Sequence, residues 1–268
     1  MSAVWRVLGV AMLFVAAMTS AAEEQFVTVS TRGEFKQSFL YIRPAAAVAI
    51  VVLYAGGNGK IELGPDGPGK RNNFLVRSRQ LFASEGFVVA VPDAPSDLTD
   101  RRDGLDDRRS GKDHADDTRA IITYLRQKNA LPVFVVGTSR GTISAANAGA
   151  RLGGDVDGVV LTASVTQAHK KRPENVFDVD LEEIRVPVLL VHHKDDGCRV
   201  TPSSGTERIK DKLKASPRVD VVEVDGGDPP QSKPCGALSQ HGFLGIEQQV
   251  VSAIGHWIKS VQKSDNRR

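Results

Sequence analysis

From about residue 25 onward, short unbroken apolar runs alternate along the chain with stretches that carry helical spacing. Residues 26–29 and 38–42 read as two strands joined through a polar turn containing glycine. Six further runs follow at 48–53, 87–91, 133–136, 158–161, 186–191 and 219–224. Most of them are continuous in Val, Ile and Leu, without the polar alternation of a half-exposed strand. That pattern suits strands covered on both faces, as in a parallel sheet. Between them, residues 74–86, 113–128, 139–152, 205–215 and 244–261 place apolar side chains at helical intervals. Strand–helix alternation of this kind predicts a doubly wound α/β layer fold with a mostly parallel eight-stranded sheet flanked by helices.

The first residues follow a different rule. Arg6 precedes an apolar run at 7–18, small residues follow at 19–22, and the chain turns polar at Glu23 and Glu24. A positive start, a short apolar centre and a small-residue end describe a secretory signal peptide cleaved near Ala22. The run is shorter than the ~20 residues that span a bilayer. The expectation is therefore a signal at 1–22, a single domain at 23–268, and a periplasmic or secreted mature protein with no stable membrane partner. No internal repeat or low-complexity linker divides the remainder. Net charge is only +3, with both signs mixed along the chain, which excludes an electrostatic footprint for nucleic acid. Export changes the reading of Cys198 and Cys235, the two cysteines in the sequence: an oxidising compartment makes a disulfide between them the default. Their spacing fits no zinc pattern, and neither a metal nor a cofactor is expected. Residues 97–113 are dense in both charges and read as a solvated loop near the carboxyl edge of the sheet.

Candidate chemistry centres on Gly137-Thr138-Ser139-Arg140-Gly141. Alone the pattern is short, but run 133–136 leads directly into it and a helical segment leaves it. That is the strand–tight turn–helix setting that holds a serine at an exposed corner. Serine needs a base, and the base needs an orienting acid, in the chain order Ser, Asp or Glu, His. Five histidines follow Ser139: His169, His192, His193, His241 and His256. His241 lies between the last strand and the final helix, where the base belongs. His192 and His193 end a strand, His256 sits within the terminal helix, and His169 adjoins Lys170 and Lys171. His114 precedes the serine and does not fit the order. For the acid, run 186–191 opens into His192-His193-Lys194-Asp195-Asp196, and either aspartate could emerge at its end. Backbone N–H donors for a developing oxyanion are expected from Arg140 and from the Gly-rich loop Ala55-Gly56-Gly57-Asn58-Gly59, with Gly57 preferred and Asn58 second. Neither a GKS/GKT nor a GxGxxG pattern is present to make that loop a phosphate cradle. A bridge from Cys198 to Cys235 would tie the loop of the acid to the loop of the base.

Taken together, the segment 137–141, the segment 187–196 and His241-Gly242-Phe243 before a closing helix resemble the α/β-hydrolase superfamily, over nearly all of the chain after residue 22. The resemblance selects Asp196 over Asp195, because members commonly carry His-Gly, two residues and then the acid. Here His193 stands in place of that glycine, and Ala55 stands where many members have histidine before the oxyanion donor. The resemblance implies acyl hydrolysis by Ser139, Asp196 and His241 without a metal or organic cofactor. The polar 97–113 segment favours a small or polar ester as the small-molecule substrate, and hence a carboxylesterase. A serine peptidase or acyltransferase with the same triad is the alternative reading, and a catalytically silent binding protein on the same scaffold is the reading from a different class.

Overall fold

The computed structural model describes residues 23–64 and 66–265. The segment read as a signal peptide, 1–22, lies outside the described residues. In chain order the elements are β1 Glu24–Ser30, β2 Lys36–Ile42, β3 Ala49–Tyr54, β4 Leu63–Gly64, β5 Gly67–Pro68, α1 Phe74–Arg77, α2 Arg79–Ser84, β6 Phe87–Pro92, α3 Ser96–Thr99, α4 Lys112–Lys128, β7 Val133–Thr138, α5 Gly141–Arg151, β8 Gly158–Thr162, β9 Val188–His193, α6 Ser204–Lys212, β10 Val219–Val224 and α7 Glu247–Asp265.

Eight strands form one sheet in the order β1-β2-β6-β3-β7-β8-β9-β10. β2 runs antiparallel to both of its neighbours, and all the other pairings are parallel. The central strands β3, β6 and β7 are buried along their whole length, as continuous apolar sequence requires. On one face the sheet packs against Ile121, Ile122 and Leu125 of α4, Ile143 of α5 and Ile209 of α6. On the other it packs against Phe74 of α1, Phe82 of α2, and Val250, Ile254 and Ile258 of α7. Register aligns the carboxyl ends that matter for chemistry: Tyr54 pairs with Gly137, Thr138 with Thr162, and Thr162 with Val191. The loops after β3, β7 and β9 therefore open on one edge of the sheet, the edge where open α/β sheets bind ligands.

Three departures from the sequence expectations have local causes. The 139–152 helix begins at Gly141, because Ser139 has a φ of +53°, outside right-handed helical space. The 74–86 helix is broken at Ser78, whose N–H closes α1 on the Phe74 carbonyl before α2 starts. The 97–113 segment is not a solvated loop. It opens with the helical turn α3, and it then buries Leu105 and Arg109 against the loop that follows β3 and Asp106 against Arg140 and Arg172. Leu105 N–H donates to the Asn58 carbonyl at 2.9 Å, and Arg109 is completely buried.

Candidate active site

Ser139 stands between the end of β7 and the start of α5. Its left-handed backbone is held by its own N–H, which donates to the Thr162 carbonyl of β8 at 3.0 Å. The flanking glycines are steric necessities. A Cβ at position 137 would lie 2.2 Å from the Gly141 carbonyl oxygen, and one at position 141 would lie 2.1 Å from the Tyr54 carbonyl oxygen. No other residue type lets β7, the turn and β3 approach so closely.

His241 sits in a single helical turn, Gln240–Gly242, between β10 and α7. Its Nδ1 lies 2.9 Å from Asp196 Oδ2, with both side chains buried. Asp196 also accepts from the Cys198 N–H at 2.9 Å and from the Thr201 hydroxyl at 2.8 Å. Burial alone would push the Asp196 carboxyl up. The hydrogen bond and charge of His241, helped by the Cys198 N–H and Thr201, more than offset it and hold the group below the usual carboxylate range. Asp195 is exposed and takes no part, its N–H donating to His193 Nδ1. Of the remaining histidines, His193 bonds the Gly226 carbonyl, His256 is exposed on α7, and His192 is buried with Nε2 unpartnered.

Ser139 and His241 line one open cavity of about 670 Å³, together with Gly56, Gly57 and Asn58 of the loop after β3. Among the described residues no acceptor engages the backbone N–H of Arg140, Gly57 or Asn58. These are the donors expected beside Ser139.

Three residues that sequence reasoning did not single out, Thr201, Arg77 and Arg109, hold the site in place, and so does the side chain of Arg140. Thr201 bonds Asp196 and approaches His241 Nδ1 at 3.3 Å. Arg77 pairs with Glu247 at 2.8 Å and donates to the Gly242 and Ala237 carbonyls, pinning the His241 turn to α1 and α7. Arg109 donates to the Ala55 and Gly57 carbonyls at 3.1 and 3.2 Å and to the Ser144 hydroxyl of α5 at 2.6 Å. One buried guanidinium thus joins the loop after β3 to the helix after Ser139. Burial, with the nearby charge of Arg140, pulls it down to about 10. The Arg140 side chain runs inward too. Its Nε lies 3.1 Å from Asp106 Oδ1, an ion pair whose N–H is not aimed along the contact, and its Nη1 donates to the Glu174 carbonyl at 3.2 Å. Local sequence carries no signal for these roles, since the arginine contacts depend on partners far away in the chain and the Thr201 contact on how the chain turns after β9.

Cys198 and Cys235 are bonded to each other, with Cα atoms 4.5 Å apart. Among the described residues the one cluster with metal-ligating atoms is Asp196, Cys198 and His241. Its sulfur is committed to the disulfide, and its carboxylate and imidazole to each other.

Strand order, the mostly parallel pairing and the strained serine turn define the α/β-hydrolase fold, and the protein has that fold. Solved structures that share it include a dienelactone hydrolase from Anabaena variabilis, 17% identical, covering 90% of this chain and 99% of that one with a TM-score of 0.63. They also include the Pyrococcus furiosus esterase Pf2001, 14% identical over 89% of this chain and 93% of that one, with a TM-score of 0.63. A thermostable carboxyl esterase from Bacillus coagulans is 13% identical over 89% and 98% of the two chains, with a TM-score of 0.59. No family model matches the chain, and no curated protein matches it in sequence.

Proposed function

We propose that the protein is a serine hydrolase, a carboxylesterase acting on a small or polar ester. The observation that carries this reading is the buried Asp196–His241 pair opening on the same cavity as Ser139, whose backbone is strained at φ +53°. The hydrolase and esterase neighbours support it from the side of the fold.

In this mechanism Asp196 accepts the His241 Nδ1–H, which leaves Nε2 as the basic atom. Nε2 takes the Ser139 hydroxyl proton as Oγ bonds to the substrate carbonyl carbon. The carbonyl electron pair moves onto oxygen, where the Arg140 and Gly57 N–H groups stabilise it. A mutationally removed donor of this kind typically costs about 3 kcal/mol of transition-state stabilisation. Collapse breaks the ester C–O bond, and the alcohol leaves with the proton held on Nε2. Water then repeats the attack on the acyl-serine, with His241 again as base, releasing the acid and regenerating Ser139. The thermodynamic role of Asp196 is to stabilise the imidazolium formed twice in each cycle.

Export belongs to the same proposal. It rests on the charge and hydropathy pattern of residues 1–22 and on the Cys198–Cys235 bridge. Among the described residues no helix is long and apolar enough to cross a membrane.

The deciding experiment is labelling of the purified protein with a fluorophosphonate probe, beside Ser139→Ala, with p-nitrophenyl acetate hydrolysis measured on both. The expected result is labelling and turnover by the native protein and neither by the variant. Labelling that persists in Ser139→Ala would remove Ser139 from the mechanism.

A further inference from the structure

The cavity that Ser139 lines is electrically one-sided. Lys60, Lys70 and Arg71 line it, and among the described residues no aspartate or glutamate does. Lys70 is compensated by Glu62, whose Oε1 lies 3.0 Å from its Nζ. Lys60 and Arg71 are not compensated: among the described residues no carboxylate lies within salt-bridge distance of either. Both are nonetheless held in place by neutral acceptors. Lys60 Nζ donates to the Arg101 carbonyl at 3.3 Å. Arg71 Nε donates to the Pro68 carbonyl at 2.8 Å, and its Nη2 to the Asp66 carbonyl at 2.9 Å. A carbonyl fixes the direction of a cation without cancelling its charge, so two oriented positive charges remain in the cavity that Ser139 lines. The Asn72 side chain lines the same cavity, beside apolar side chains such as Ile61 and Phe74. Such a lining attracts an anion.

Resting on the reading of Ser139 as nucleophile, we propose that the cavity selects esters bearing a carboxylate, with Lys60 and Arg71 as the subsite for that anion. The carboxylate lies away from the scissile bond, on either the acyl or the alcohol part of the substrate. It takes no part in bond making, so its contribution appears as selectivity between charged and neutral esters.

The test compares matched pairs. Mono-4-nitrophenyl glutarate against 4-nitrophenyl butyrate places the charge on the acyl side. 4-Acetoxybenzoate against its methyl ester places it on the alcohol side. For each pair the ratio of kcat/KM, charged over neutral, is measured after subtraction of spontaneous hydrolysis, in the native protein and in Lys60→Gln/Arg71→Gln. Dividing one ratio by the other cancels the intrinsic reactivity of the esters. Two partly exposed charges predict a fall of about fivefold in that ratio for at least one pair, and Arg71→Lys, which keeps the charge, should retain most of the native selectivity. If the double variant does not fold, the native protein decides through salt. Raising ionic strength from about 10 mM to about 500 mM shrinks the screening length from roughly 30 Å to under about 5 Å, and it should lower the charged-over-neutral ratio severalfold. Ratios unmoved by both substitution and salt overturn the anion subsite while leaving the esterase reading intact. Absence of turnover for all four esters together with absence of Ser139 labelling overturns the esterase reading, and this inference with it.

Discussion

Removing the disulfide separates two functions that the fold places on one bond. Cys198 follows Asp196 by two residues, and its N–H donates to Asp196 Oδ1. Its carbonyl accepts from both the N–H and the hydroxyl of Thr201, the other group that holds the acid. Cys235 lies in the loop that leads to His241 and lines the cavity. The bridge spans a sequence separation of 37 residues. In the chain-entropy description, closing a loop of that size stabilises the native state by about 4 kcal/mol, equivalent to roughly 10 °C in Tm for a chain of this size. Cys198→Ala/Cys235→Ala should show that loss in urea unfolding followed by Trp257 fluorescence. At a temperature where both proteins are folded, kcat on p-nitrophenyl acetate should also fall about tenfold, because the Asp196 and His241 loops lose their mutual tether and small displacements of the proposed catalytic pair are costly. A variant that loses stability but keeps kcat refutes the ordering role and leaves a purely structural bridge. A variant that keeps both refutes the entropy argument as well.

Arg109 and His114 carry the remaining predictions. Arg109→Met leaves the Ala55 and Gly57 carbonyls and the Ser144 hydroxyl without their donor while also removing a buried charge. The expected net loss is about 2–4 kcal/mol in urea unfolding, with kcat down roughly 10- to 100-fold and KM little changed, since the Gly57 loop shifts relative to Ser139. An unchanged kcat would show that Arg109 serves stability alone. His114 is buried against Tyr54 with both ring nitrogens unpartnered. Burial, then the charges of Arg109 and Arg32, push it down from 6.5 to about 3. Between those values the unfolded chain binds a proton that the folded protein refuses, so stability falls as pH drops below the ordinary histidine value. From pH 7 to pH 5 that one group withdraws about 2 kcal/mol, a difference set almost entirely by the unfolded value. Unfolding free energies at both pH values should show a drop smaller by that amount in His114→Leu. An equal drop in the variant would refute the assignment.

Several features of this protein were written locally and are legible without a fold. Strands buried on both faces announce themselves as unbroken Val, Ile and Leu, because nothing polar is tolerated on either side of a central strand. The Ser139 turn is legible for the same kind of reason: the glycines at 137 and 141, the strand before and the helix after lie within one short stretch. The chain order of acid and base then pointed to the neighbourhoods of Asp196 and His241.

Other features depend on distant partners, and only the tertiary structure decided them. Whether Asp195 or Asp196 meets His241 turns on how the chain leaves β9, and a resemblance, not the local residues, had separated them. Thr201, Arg77 and Arg109 act on groups as far as 170 residues away, through contacts that no periodicity encodes. The charged segment 97–113 shows the reason most clearly. Charge density in sequence predicts solvation because burying an ion alone is costly. The fold brings Asp106 to Arg140 and Arg172, and it brings backbone carbonyls to Arg109, so charges that looked solvated became packing beneath the loops that follow β3 and β7. Local sequence states which residues are charged, and only the folded chain states which charges have partners.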